Sequence, residues 1–591
     1  MNFKEILAPV DEYRDHLRES HRQNTAEAFE ELVQRSGVDE TANIRQVGII
    51  RKLQDEVSKL SGKINGLNLL RVILILLAAA GSIGVVWYLL ECLEVVESQA
   101  VTPLWALISA LTAIIGWTLI FSWLNGVIKK LNNSLAGKEA ELNEALAIAW
   151  EQMRPLNELF QWDTVAQIIM RTMPILQLDS FFSQARMDQL VKHFKLTGID
   201  SVDQSVLCCQ SGALNGNPLL LAETLNQYWT VKTYTGSKII SWREYDSSQK
   251  KTVTRTETLF ASVTKPFPDY TSEKFIIYGN EAAPDLSFSR EPNSISDQNG
   301  LFDKLGLRGN IKKLESMSRD LDSNFTIMDN REFDACFYAI DRDNEQQFRL
   351  LFTPLAQQEM LKLLQDQKVG YGDDFAFRKK KMINIIQPSH LSGTDISASP
   401  EIFKDYELAA IRRKFNDYSN DFFRSFFFGI APLLSIPLYQ QHRNTLDIYK
   451  DVYSCGVSDY EYESLVNAWD ESEFAPRNAD TRSILKTRLQ SRDQDKSTIT
   501  VTAHAFAGHS RVEFVPTLGG DRRWHNVPVE WIEYLPVSRK RNVSVRAVPG
   551  NDGAEAQNTI FTQEWQNYFN ACGVDYSNIR FRRNLVSFLS R

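Results

Sequence analysis

The sequence predicts a membrane-anchored α+β protein, and three observations carry that prediction. Val72–Leu90 and Leu104–Ile128 are uncharged apolar runs in tandem. Residues 228–279 and 497–550 alternate β-branched or aromatic residues with polar ones, as half-buried strands do. Helical periodicity precedes and separates them. The expected order is N-terminal helices, a two-helix transmembrane hairpin, a helical stalk, then mixed α+β and β-rich cytoplasmic parts.

A chain of 591 residues is too long for one core. With 43% apolar and 24% charged residues it matches ordinary globular composition, which excludes global disorder, collagen and a polytopic transporter. The net charge of −8 offers no chain-wide basic field, so no nucleic-acid partner is expected. The texture divides the chain at 1–71 (cytoplasmic helical or coiled-coil), 72–128 (membrane hairpin), 129–198 (juxtamembrane helices), 199–300 (β-rich), 301–496 (α+β) and 497–591 (β-rich).

The N-terminal residues carry no apolar core of a cleavable signal peptide. Residues 11–36 read as an amphipathic helix stopped by Gly37. Residues 50–67 carry a heptad seam, Ile50, Leu53, Val57, Leu60, Ile64 and Leu67. After the membrane, Ile128, Leu131, Leu135, Leu142, Leu146, Met153 and Leu156 give a looser seam. The two seams pair within one chain as a stalk, or they form a homo-oligomeric coiled coil.

At 1.5 Å per residue, Val72–Leu90 spans about 28 Å, close to the hydrocarbon thickness. Trp87, Trp105 and Trp123 lie near the run ends, where indoles favour the interface. Lys52, Lys59, Lys63 and Arg71 precede the hairpin, and Lys129, Lys130 and Lys138 follow it. The loop 91–103 holds Glu91, Glu94 and Glu97 and no Lys or Arg. The positive-inside rule puts that loop outside and both termini in the cytoplasm, at the inner (plasma) membrane. On this topology the sequons at Asn132, Asn324 and Asn542 never meet the glycosylation machinery. Neither run contains an Asp, Glu, Lys, Arg or His, which argues against a pump or transporter. Gly81, Ser82, Gly84, Ser109, Ala113 and Gly116 allow close helix contact.

Residues 139–196 continue helical, with Pro155 and Pro174 as breaks. Residues 228–245, 251–267 and 274–279 read as strands, the first two joined as a hairpin, and 281–300 reads as a polar loop. Residues 301–321 read as helix, FDACFYAID and QFRLLFTP as strands, and Thr353-Pro354 opens a helix. A turn and strand follow over 370–387. Residues 422–439, FFRSFFFGIAPLLSIPLY, are too short and too broken by Gly429, Pro432 and Pro437 to span. They read as buried core, the alternative being an interfacial element. In the last unit, 497–506, 510–518, 529–537 and 542–550 read as strands with turns at 519–520 and 549–550, and 562–573 as a short helix.

The succession of two early apolar helices, LFTPLAQQEMLKLL and the Phe375-x-Phe377 strand with its lysines and isoleucines resembles uncharacterised bacterial two-pass membrane proteins. The likeness covers the hairpin and roughly 330–390. It implies a membrane-anchored cytoplasmic α+β domain and supplies no catalytic residues.

Six cysteines, at 92, 208, 209, 336, 455 and 572, form no CxxC and suit a reducing compartment. Tyr371-Gly372-Asp373-Asp374 has the letters of a polymerase metal turn, but a Leu-rich helix precedes it instead of a strand, so it reads as a polar turn. No P-loop, GxSxG or HExxH occurs. His504, His509 and His525 are the histidine cluster and hence the metal candidates. Arg378, Lys379, Lys380 and Lys381 form a basic run, a candidate contact for anionic lipid or phosphate. No catalytic residue and no cofactor is expected. The leading function is a membrane-anchored binding, sensing or scaffold protein whose partners are the bilayer, an unspecified protein and a second copy through the juxtamembrane helices. The alternatives are an oligomeric effector that perturbs the bilayer on a cytoplasmic signal, and a tethered enzyme of unrecognised type.

Overall fold

The computed structural model describes residues 5–93, 103–198, 201–246, 251–293, 301–320, 325–441, 456–493, 496–547, 579–582 and 585–589. The centre of the acidic loop, residues 294–300, Asn324, Cys455, Cys572, the turn at 549–550 and the helix expected over 562–573 lie outside them. The described chain is mixed α and β, with two long apolar helices and two antiparallel sheets. It divides into two compact units. The larger holds residues 1–28, 161–400 and 416–591, and the smaller holds 29–160 and 401–415.

The smaller unit is dominated by two helical rods. One helix runs unbroken over Glu40–Cys92. The other runs over Pro103–Thr118 and Asn125–Asn157 with a π-turn at Leu119–Leu124 between them. Small residues set how closely they pack. A Cβ on Gly81 would lie 2.6 Å from Thr112 Oγ1, and one on Gly116 would lie 2.8 Å from Ala78 Cβ. The same antiparallel register continues down the rods. Lys138 pairs with Glu56 at 3.3 Å, Gln46 donates to the Ala145 carbonyl at 2.8 Å, and Ile50 packs with Ala145 and Ala149. Leu53, Val57, Leu60, Ile64 and Leu67 are all partly or fully buried, while the residues between them are mostly exposed. The heptad seam is therefore covered by the second rod of the same chain. Two of these helices are long and apolar enough to cross a membrane.

The larger unit contains a seven-stranded sheet, ordered β1-β2-β3-β4-β7-β6-β5, and a five-stranded sheet, β11-β12-β10-β9-β8. The strands are β1 Leu176–Leu178, β2 Gln204–Leu214, β3 Asn217–Asp246, β4 Lys251–Gly279, β5 Ser287–Arg290, β6 Phe375–Lys380 and β7 Ile383–Pro388, then β8 Ile484–Asp493, β9 Lys496–Leu518, β10 Trp524–Ala547, β11 Ile579–Arg582 and β12 Leu585–Phe588. The seven-stranded sheet thus takes strands from both sides of residue 300. The helix Asp459–Val466 is buried on every side except at Asp459. Its Tyr460 joins the core of the larger sheet, with Phe182, Leu220 and Ile277. Its Tyr462, Leu465 and Val466 join that of the smaller, with Ile499, Val501 and Val543.

Several local expectations are corrected. FDACFYAID and QFRLLFTP form helices, Arg331–Phe337 and Glu345–Leu351, not strands. Asn330 accepts from the Phe333 amide at 3.1 Å and Asn344 from the Gln347 amide at 3.0 Å, and these side-chain caps start each helix. The polar loop 281–300 contains β5, and MPILQL supplies β1 rather than helix. The four strands read in 497–550 are two, β9 and β10, and β4 runs through Pro266 and Pro268. Proline lacks an amide hydrogen, so it fits a ladder where that amide would face away from the partner strand. Residues 422–439 are almost wholly buried, in the helices Leu408–Leu434 and Pro437–Gln441.

Beyond Asn226 and before Ile276, β3 and β4 leave the sheet as a two-stranded ribbon, paired to Asp246–Lys251. β9 and β10 form a second ribbon, paired to Leu518–Trp524. The ribbons pack on each other as an arm. Ile240 and Leu259 bury against Val527, and a Cβ on Gly236 would lie 2.0 Å from the Pro528 carbonyl oxygen. At the far end the Gly520 amide donates to Glu257 at 2.6 Å.

Candidate functional site

The arm's root carries a cleft of about 250 Å³, lined among others by Asp203, Gln227, Ile484, His504, Phe506 and Ser538. Strands place most of the lining groups, and Asp203 lies in the turn just before β2. Gln227 is the first residue of β3 past the β2 ladder, and its amide donates to the Asp203 carbonyl at 2.8 Å. His504 stands opposite Ile484 on β8 and Ser538 on β10. Trp229 meets Phe506 edge-on at 5.0 Å between centroids. The Gln227 Nε2 is buried and has no hydrogen-bond partner among the described residues.

Behind the cleft lies a buried charged group. Lys486 donates to the Gln204 carbonyl at 3.2 Å and pairs with Glu463 at 2.6 Å. Glu463 also accepts from the Val206 amide at 3.0 Å, beside the β-bulge between Val206 and Cys208. Burial pushes the Glu463 carboxyl up to about 7, although Lys486 pulls the other way. Two residues earlier on the same helix, Glu461 accepts from the Phe182 amide at 2.8 Å and from Cys209 Sγ at 3.5 Å. The buried Arg582 donates to Cys208 Sγ at 2.9 Å and to the Ser464 carbonyl at 2.6 Å. Burial lowers the His504 imidazole below its ordinary value, Asp203 opposes this, and Lys486 and Lys540 add to it. His504 is thus a neutral donor–acceptor at neutral pH.

The other histidines stand elsewhere. His509 is exposed five residues along β9, roughly 17 Å away at strand rise and on the opposite face. His525 lies at the hairpin end, 3.0 Å from Asp521. Among the described residues no three His, Cys, Asp or Glu side chains converge as metal ligands.

The basic run is split by strand alternation and by a turn. Arg378 is exposed and pairs with Glu291 at 2.9 Å. Lys380 is exposed, 3.3 Å from Thr197 Oγ1. Lys381 occupies the β6–β7 turn with φ 57°. Lys379 faces inward. It donates to the carbonyls of Ala282 at 3.1 Å and of Lys381, and lies 5.7 Å from the Tyr439 ring. Burial lowers its ammonium to about 7. Around it, Tyr439 donates to Asn384 at 2.5 Å, and Asn217 and Asn280 each donate to Tyr278 Oη at 3.1 Å.

Both aspartates of the Tyr371–Asp374 turn have structural partners. Asp373 pairs with the fully buried Arg290 at 2.6 Å, and Asp374 holds His390 Nδ1 at 2.5 Å. The His390 ring stacks on Tyr371 at 3.9 Å.

No protein-family model, curated protein or solved structure matches this chain. Its class therefore rests on architecture: a mixed α+β protein with two helices able to cross a membrane. The cleft was legible only through His504. Gln227 sits in an ordinary strand sequence, and its place in the cleft appears only when four strands converge.

Proposed function

We propose that this is a two-pass, membrane-anchored binding or scaffold protein, with the larger unit on the cytoplasmic side and the cleft at the arm's root as its ligand site. The apolar surface of the two helices carries the reading. Leu76, Ile83, Leu104 and Phe121 are each 64–69% exposed. A soluble core helix would bury such residues, whereas a bilayer covers them without a protein partner. Neighbouring charge asymmetry supports the cytoplasmic side.

Binding rather than turnover is favoured by the cleft's chemistry. A neutral His504, the Asp203 carboxylate, a donor on Gln227 and the ring of Phe506 suit a small polar ligand with acceptor and donor groups. Ser538 stands opposite His504 across the ladder, but among the described residues no hydrogen bond joins its hydroxyl to the imidazole. The test is purification of the full chain from membranes in mild detergent, with mass spectrometry of what accompanies it. The reading expects membrane pellets that resist alkaline extraction, and a companion lost from the Gln227→Ala, His504→Ala variant. Release from the membrane at high pH would sink the anchor. Identical companions in both preparations would sink the cleft.

A further inference from the structure

The two faces of the arm's first ribbon differ in charge, although Lys232, Lys238, Glu244 and Arg255 on the more charged face are exposed as well. The outward residues of β3 from Val231 to Tyr245 pair with those of β4 from Thr252 to Pro266, and all sixteen are exposed. Ten are Ser or Thr, and one, Arg243, is charged. The opposite face, which packs toward the second ribbon, carries Lys232, Lys238, Glu244, Arg255, Glu257 and Lys265. Exposed sheet faces ordinarily carry the charges, because charge keeps a face soluble and single. Here the solvent-facing side shows hydroxyl ladders, such as Thr233 with Thr264 at 3.3 Å, around Phe260 at 71% and Ile239 at 70% exposure.

We propose that this face is a docking surface for a second copy of the chain, stacked face to face about a two-fold axis. Charge selects the occupant. The face has no basic groups to hold phosphate or anionic lipid beyond Arg243 at its end, and no acids to hold a basic partner. A nearly uncharged surface meets its own copy without repulsion. In a two-fold stack with the ribbons antiparallel, the two Arg243 side chains lie at opposite ends. Fourteen strand steps make the face about 46 Å long and two strands make it roughly 10 Å wide, so a stack buries on the order of 1,000 Å² in total, the lower limit for a biological interface and the size of a weak, reversible one. Edge pairing is the other way two ribbons could join. Pro266 and Pro268 on β4, and Pro516, Pro528 and Pro536 on the second ribbon, interrupt three of the edges; the open edge of β3 beyond Asn226 carries no proline, and pairing there would leave the Ser237→Glu, Thr258→Glu variant associating like wild type. The juxtamembrane seam is already covered within the chain, so this face offers a copy what that seam does not. The inference concerns the larger unit alone and stands whether or not the two apolar helices lie in a bilayer.

In such a stack the central pairs, Ser237 with Phe260 and Ile239 with Thr258, meet their own copies. The test is the mass of the full chain in detergent micelles, by light scattering over a concentration series. Wild type should be dimeric. The Ser237→Glu, Thr258→Glu variant should dissociate at least tenfold more readily, with unchanged thermal unfolding, and so should Ser237→Lys, Thr258→Lys. Mixing the Glu and Lys variants should restore the dimer. A monomeric wild type, a Glu variant that associates like wild type, or a mixture that stays monomeric would each overturn the proposal.

Discussion

Arg290 and Asp373 illustrate what a buried charge demands. The guanidinium meets Asp373, the Phe375 carbonyl at 2.9 Å and the Phe337 carbonyl at 3.3 Å, all away from solvent. Removing one partner leaves the other charged and desolvated. Asp373→Ala is therefore expected to cost about 3–5 kcal/mol in denaturant unfolding, and Arg290→Met with Asp373→Leu to cost less than that single change. A loss under about 1 kcal/mol for Asp373→Ala would show the pair to be dispensable. Lys379 makes a prediction in pH. Its folded value, about 7, lies below the ordinary 10.5. Between those values the unfolded chain binds more protons, so this residue makes stability rise with pH from about 7 to 10.5. Lys379→Met should be more stable than wild type at pH 7, and the difference should shrink toward pH 10. A constant difference would mean that the ammonium is not desolvated. None of this was legible in the sequence. Arg378–Lys381 reads as one basic patch, and only the β6 register shows that its second member points inward among Tyr439, Asn384 and Tyr278.

Elements were legible where a single pattern ran without interruption. The two apolar runs, the heptad seam and the Thr353-Pro354 helix start all lie where the sequence places helices, because periodicity and caps are local signals. The arm was half legible. Alternation marked its strands, but Pro266, Pro268 and Pro536 read as strand ends, since sequence alone does not show that they lie on open edges. FDACFYAID misled for the converse reason: its short apolar and aromatic run resembles a buried strand, and the Asn330 cap outweighs it. Two predictions belong here. Gly236 lies where a side chain would strike the Pro528 carbonyl, so Gly236→Val should force the ribbons apart and cost about 1–3 kcal/mol. Thr235→Val, one residue away on the outer face, should change stability by about 0.5 kcal/mol or less. Equal effects would contradict the packing of the two ribbons. In the rods, cysteines at Leu60 and Leu135 should crosslink within one chain in a cysteine-depleted background, and Val57→Glu with Ile64→Glu should abolish the link. Crosslinks only between chains would reassign the seam to a coiled coil of copies.

At the scale of the molecule, the sequence reading named the α+β class and two helices able to cross a membrane, since both follow from composition and run length. The assembly of strands from 176–290 with 375–388 into one sheet, and of a helix buried beyond Asp459 and bearing Glu461 and Glu463, depends on long-range contacts that no local pattern records. The central claim is that the helices anchor a cytoplasmic unit. Topology reporters placed after residues 40, 97 and 200 of the chain in its native membrane test it most directly. The account predicts cytoplasmic signals at 40 and 200 and an external signal at 97. An external signal at 200, or cytoplasmic signals at all three with the chain in the soluble fraction, would contradict it.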